Sequence, residues 1–238
     1  MENTKKIIGV SLDTIRNLFA QFDKTYRKSF IHNPSLMEVS DDLHYSDREL
    51  TEEEIDAIEA RQNELITYPI NTYDLSNHYR FDTQENFKLF LYQDYALEIF
   101  GNAQQTPGYM DRFNLISSFG LKNKLYDTVL LSKESDFSAQ ATYHFLAKTA
   151  CRARNVKFVL DETDYFNHCD ILITTSPIAL QHKDKMSDKI SIKVATEYNE
   201  YDTADHVVQS FTEINPQFIS DIISNKIQIS NLLSDNKK

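Results

Sequence analysis

The residues Ser11-Leu12-Asp13-Thr14 follow a short apolar run, Ile7, Ile8, Gly9 and Val10. A strand that ends in polar residues at a helix start is where α/β proteins place their chemistry, because ligands bind outside the carboxyl ends of the strands. Asp13 could take a proton or hold a cation. The Ser11 hydroxyl is a weak nucleophile without a base beside it, and no histidine stands in the first thirty residues to supply one. A purely structural reading also exists, in which Asp13 is the N-cap of a helix beginning at Thr14. Polar residues close two later apolar runs as well. Ser132 follows Leu130-Leu131, where it can cap or turn the chain, and Thr174 and Thr175 end the run in CDILITTSP. Asp161 and Asp164 are further acids.

Other chemistries lack their residues. Only four glycines occur, Gly9, Gly101, Gly108 and Gly120, so neither a phosphate-cradling P-loop nor a GxGxxG turn can be written. The GxSxG, HExxH and CxxC patterns are absent too. His168 and Cys169 are adjacent, a poor spacing for two ligands of one metal. Cys151 and Cys169 read as reduced thiols of a cytoplasmic protein.

The elements that must position these residues can be read from periodicity. After Asp13, the residues Ile15, Leu18, Phe19, Phe22 and Tyr26 follow the 3.6-residue period of a helix with one buried face. Thr51 with Glu54 forms a capping box that opens a charged helix toward Leu65. Asp82 with Glu85 opens another, carrying Phe87, Phe90, Leu91 and Leu97, with Gly101 as its C-cap. A shorter helix over 110–119 ends at Gly120. Apolar runs at Thr128–Leu131, Val156–Leu160, Ile171–Thr174 and Ile190–Val194 are rich in β-branched residues and too short for helices. A helix with Ala139, Thr142, Leu146 and Thr149 on one face lies between the first two, and such alternation implies parallel βαβ crossovers. Asn215-Pro216 is an N-cap followed by proline at the first helical position, ahead of Ile219, Ile222, Ile223 and Ile227.

This order of elements resembles the haloacid dehalogenase (HAD) superfamily, with a cap inserted after the first strand, and is similar in particular to its nucleotidase-like members from tailed bacteriophages. The resemblance implies an α/β fold, a Rossmannoid five-stranded parallel sheet with a helical cap-type insertion. Residues 1–31 plus 121–214 would form the core, 32–120 the insertion, and 215–238 a C-terminal helix and tail. It places Ile171–Thr174 beside Lys6–Val10, and the latter beside Thr128–Leu131. In that family the first strand ends in Asp-x-Asp, whose first Asp attacks phosphorus and ligates Mg²⁺ while the second is general acid and base. Ser11 stands at the first of those positions and Asp13 at the second. Ser132 matches the Ser or Thr that ends the second strand, Thr174 and Thr175 stand where the fourth strand ends in acids, and the family's catalytic lysine has two candidates here, Lys148 and Lys157. Neutral hydroxyls do not supply the anionic oxygens that Mg²⁺ prefers. The positions Ser11, Asp13, Ser132, Thr174 and Thr175 therefore read as a vestigial site, with no catalytic residue, metal or other cofactor expected.

Two functions from different classes follow. One is a non-enzymatic structural protein on a degenerate HAD-like fold, a ring, neck or tail component of a virion such as that of a crAss-like phage. Its partners would be other virion proteins and copies of itself in a ring, and its aromatic-rich insertion (Tyr68, Tyr73, Tyr79, Phe81, Tyr92, Tyr95, Tyr109) would serve as either interface or local core. The alternative is an active Mg²⁺-dependent phosphohydrolase or nucleotidase with a rearranged site, using Asp13, Asp161 or Asp164. The formal charge of −11 argues against direct binding of nucleic acid through its phosphates. No apolar run approaches a membrane span, and the four apolar residues after MENTKK are too few for a signal peptide.

Overall fold

The computed structural model describes residues 5–29, 51–53, 73–77, 79, 81, 83–135 and 137–224. The helix expected from Thr51 toward Leu65, the cap at Asp82, Tyr68, Ile227 and the tail lie outside them wholly or in part. The chain divides into two compact units, one drawn from Met1–Ile15, Gln105–Lys133 and Ala150–Lys238, the other from Arg16–Gln104 and Glu134–Thr149. This division differs from the one read from the sequence. Residues 16–29 and the helix at 138–148 belong with the second unit, whereas 105–123 and 216–224 belong with the first.

The first unit is built on a parallel sheet. Its strands are β1 (Lys6–Ser11), β2 (Tyr126–Lys133), β3 (Val156–Val159), β4 (Ile171–Thr174), β5 (Ile190–Val194) and β6 (His206–Val208), in the order β3-β2-β1-β4-β5-β6. The expected neighbours are present: β1 pairs with β2 (Ser11 opposite Leu131) and with β4 (Val10 opposite Ile173). The expected five strands become six, because β6 adds to the edge at β5 with Ile192 opposite His206. Three residues are too few to register as a strand by periodicity alone.

The central strands read as continuous apolar runs because a parallel sheet is covered on both faces. All four residues of β4 are buried, as are Ile8 and Val10 of β1. One core cluster gathers Val129, Leu131, Tyr165, Phe166, Cys169 and Leu172. Gly9 lets β1 approach it, since a Cβ there would stand 2.7 Å from Cys169 Sγ and 2.8 Å from Leu131 Cδ1.

Helix α3 (Tyr109–Asn123) precedes β2 and runs past the expected end at Gly120. Lys124 ends it in the left-handed conformation, at φ 55°. Gly120 is instead a packing position against the ring of Tyr126, whose hydroxyl donates to the Ile116 carbonyl at 3.1 Å. Helix α5 (Pro177–His182) follows β4, and the last helix among the described residues, α6 (216–224), starts at Pro216 with Asn215 Oδ1 accepting the Phe218 amide at 2.9 Å.

The second unit contains α1 (Leu18–Ser29), α2 (Gln84–Leu89) and α4 (Ser138–Lys148). Thr83 caps α2 by accepting the Asn86 amide, and the chain then widens into two turns closed five residues apart, by Tyr95 N to Phe90 O and Asn102 N to Leu97 O. Gly101 lies within the second wide turn rather than at a C-cap. The aromatics form a local core: Phe22 and Tyr26 of α1 pack with Tyr79, Phe90 and Phe100, and the Phe22 and Tyr79 rings are 4.6 Å apart. On α4 the buried face is Ala141, Thr142, Phe145 and Leu146, one step round the helix from the expected stripe.

Candidate active site

All strands of a parallel sheet end on the same side, so the carboxyl ends of β1, β2 and β4 bring Ser11, Ser132 and Thr174 to one edge. The local structure after β1 differs from expectation. Leu12–Thr14 form a single tight turn, and α1 begins only at Leu18. Its first turn is capped by Asn17, whose Oδ1 accepts the Ala20 amide at 3.1 Å. Asp13 is therefore not the cap of α1, and it is partly exposed at the strand end.

Ser11 is fully buried, and its hydroxyl has no hydrogen-bond partner among the described residues; the Thr14 hydroxyl is in the same state. Ser132 is a buried member of β2, not a cap or turn residue. Thr174 Oγ1 accepts the Ser176 amide at 3.0 Å, which turns the chain from β4 into α5. Ser176 caps that helix, accepting the Ala179 amide at 3.2 Å.

Two residues not singled out in the sequence join this edge. Glu162 follows β3 and is buried, with its carboxylate accepting the Ser176 hydroxyl and lying 3.9 Å from the Lys133 ammonium. Its signal was there to read: an acid just beyond a strand end, between the two acids that were considered. Those two serve locally. Asp161 Oδ1 accepts the Thr163 amide and hydroxyl at 2.8 Å each, and Asp164 accepts from Asn167 Nδ2 at 3.0 Å. The Thr163 amide and then its hydroxyl hold the Asp161 carboxyl below the ordinary range, with Lys133 and His182 contributing through their charge. Lys148 is exposed at the end of α4 and Lys157 is exposed on the edge strand β3.

The loop after β5 completes the edge. Asn199 pins it, donating to the carbonyls of Thr175 and Val194 at 3.0 Å each, while its Oδ1 accepts the Thr196 amide at 2.8 Å. Lys193 reaches the same loop and donates to the carbonyls of Asn199, Glu200 and Asp202 at 3.1, 3.3 and 2.6 Å. Tyr198, held by this loop, has its phenol raised above the ordinary value. Burial is the main cause, hydrogen bonds with Thr175 and Thr196 oppose it, and the charges of Asp13 and Glu162 add to it. Both carboxylates therefore act on one phenol.

Mg²⁺, which the resemblance implies, needs several hard anionic oxygens in near-octahedral array. Ser11, Thr174 and Thr175 are neutral, and Glu162 is already engaged by Lys133 and Ser176. Among the described residues no three His, Cys, Asp or Glu side chains are grouped to hold an ion. The donor set does not fit Mg²⁺.

No protein-family model and no curated protein matches the chain. Solved structures do. A dehalogenase described with an intermediate complex is 11% identical, covers 90% of this chain and 96% of its own, and has a TM-score of 0.44. A haloacid dehalogenase-like family hydrolase from Xanthomonas campestris is 10% identical, with 94% and 98% covered and a TM-score of 0.49. A HAD hydrolase of family IA, variant 3, from Entamoeba histolytica is 8% identical, with 93% and 100% covered and a TM-score of 0.45. The likeness is one of fold alone, an α/β arrangement on a parallel sheet. The expectation of a non-enzymatic virion protein is corrected by the same finding: the structures this chain is similar to are described as a dehalogenase and hydrolases, and none of these three as a phage or virion component.

Proposed function

We propose that this chain is a hydrolase with a rearranged HAD-type site, acting on phosphate esters at the carboxyl edge of β1, β2 and β4. The observation that carries the reading is the placement of α1. With Asn17 as its cap, Asp13 stands at a strand end as a partly exposed carboxylate whose position no longer has a helix-capping explanation. In this reading Asp13 is the general base: it takes a proton from the water that attacks phosphorus, the ester P–O bond breaks, and the leaving oxygen departs as an anion (p-nitrophenolate for the reference substrate) or takes its proton from solvent. The Ser11 hydroxyl, buried without a partner among the described residues, donates a hydrogen bond to an oxygen of the bound ester. Such a donor is most useful where charge develops and water is excluded.

Purified protein assayed against a panel of phosphomonoesters, with p-nitrophenyl phosphate as the reference substrate, tests this. Asp13→Asn should lower kcat by about 10²-fold or more, the usual range for a positioned general base, with unchanged thermal stability. Ser11→Ala should lower turnover less, by removing one hydrogen bond. Turnover that survives Asp13→Asn intact would remove Asp13 from the chemistry and with it the proposed site.

A further inference from the structure

We propose that the Lys133 ammonium, held by Glu162, supplies to this site the positive charge that a divalent cation supplies in HAD-type sites, so that the reaction needs no metal. The inference rests on the hydrolase reading and names the group that would meet the ester's charge.

Lys133 is the last residue of β2, the strand beside β1, and Ser11 pairs with Leu131 two residues before it. It therefore stands at the strand end just beyond Ser11. Its ammonium lies 3.9 Å from a Glu162 carboxylate oxygen, and the two side chains are unequally exposed, at 40% and 4%. The acid is thus buried while the cation remains open to solvent, and a substrate oxygen can reach it. A buried carboxylate requires a compensating charge, and Glu162 has one in Lys133 and a donor in the Ser176 hydroxyl. The same ammonium contributes to the field on Asp161. It lies among the acids that would otherwise be available to hold a cation.

The buried lysine on β5 cannot play this part, because three backbone carbonyls take the Lys193 ammonium. Chemistry favours the choice as well. An ammonium is a compact point charge that binds phosphate oxygens without fixed geometry. In a chain of formal charge −11, an anionic substrate gains from a local cation.

The test uses the full chain and two probes, inorganic phosphate and MgCl₂. Inorganic phosphate should raise the thermal midpoint. The rise should vanish in Lys133→Gln and return in Lys133→Arg. Because Lys133→Gln removes the cation 3.9 Å from the buried Glu162, the Lys133→Gln/Glu162→Gln double variant provides a neutral pair that should fold and also fail to respond. Millimolar MgCl₂ should leave the wild-type midpoint unmoved, and p-nitrophenyl phosphate turnover should be the same in EDTA. A phosphate response that persists without Lys133, a Mg²⁺-raised midpoint, or turnover lost in EDTA would each overturn the inference. If wild-type protein hydrolyses nothing in the panel, the hydrolase reading fails, while the phosphate and Mg²⁺ midpoints still decide the role of Lys133.

Discussion

Arg16 is among the largest fully buried side chains. It lies 3.2 Å from Glu134 Oε1 and donates to Thr142 Oγ1 at 2.6 Å, and the Thr142 hydroxyl in turn donates to Glu134 at 2.7 Å. The guanidinium also stands 4.9 Å from the Phe100 ring centroid. Taking two charges out of water is costly, and the pair repays this only while both members are present. Arg16→Met should therefore destabilise the protein by about 3–5 kcal/mol, the range for breaking one side of a buried pair. The Arg16→Met/Glu134→Leu double variant should recover most of that loss. Urea unfolding of the three proteins measures it, and a double variant no more stable than Arg16→Met would show that the pair is not the cause.

At the scale of elements, the start of α1 separates a capping role from a chemical one. Asn17 satisfies the Ala20 amide, so Asn17→Ala should cost about 1 kcal/mol, as helix N-caps do. Asp13→Asn should leave stability within about 0.5 kcal/mol, the range for substitutions away from such features. Chemical denaturation of both variants checks the contrast, and the reverse order would return Asp13 to the helix. The turn at 12–14 lies ahead of α1, so Ile15 is buried in the first unit although it matches the helical period of Leu18 and Phe22. Periodicity could not distinguish a residue of the helix from one that packs just before it.

For the molecule as a whole, buried groups that resist ionisation set an alkaline limit. Burial pushes the Cys169 thiol from an ordinary 9.0 up to about 12, and the Tyr126 phenol from 10.0 up to about 12. Both pKa values are raised in the folded state, so the unfolded chain loses its protons first. Their contribution is complete below about pH 9 and is lost as pH rises toward about 12. The urea midpoint should fall over that window, and Cys169→Ala should make the fall shallower. A midpoint flat over the window would mean that these groups ionise in the folded protein. Thiol labelling offers a second readout, since Cys169 is buried and should react only on unfolding, whereas Cys151 is partly exposed.

The α/β class, the positions of β1, β2, β4 and β5 and the neighbours of β1 were legible in the sequence, because strands buried on both faces must be apolar throughout and parallel strands need crossovers. The hydroxyls at the carboxyl edge were legible for the same reason, since a residue that follows a strand in sequence also follows it in space. Tertiary structure alone decided what meets them. Glu162 and Lys133 lie far apart in the chain, and no local spacing links them. The loop carrying Tyr198 is pinned by Asn199 and Lys193 through bonds to backbone carbonyls, which every residue type offers equally. Tyr79, Phe81, Tyr92 and Tyr95 of the insertion could have served an interface or a core, and only their packing in one cluster assigns them to a core. Apolar patterning determines which residues are buried, whereas long-range contacts determine which charges face each other.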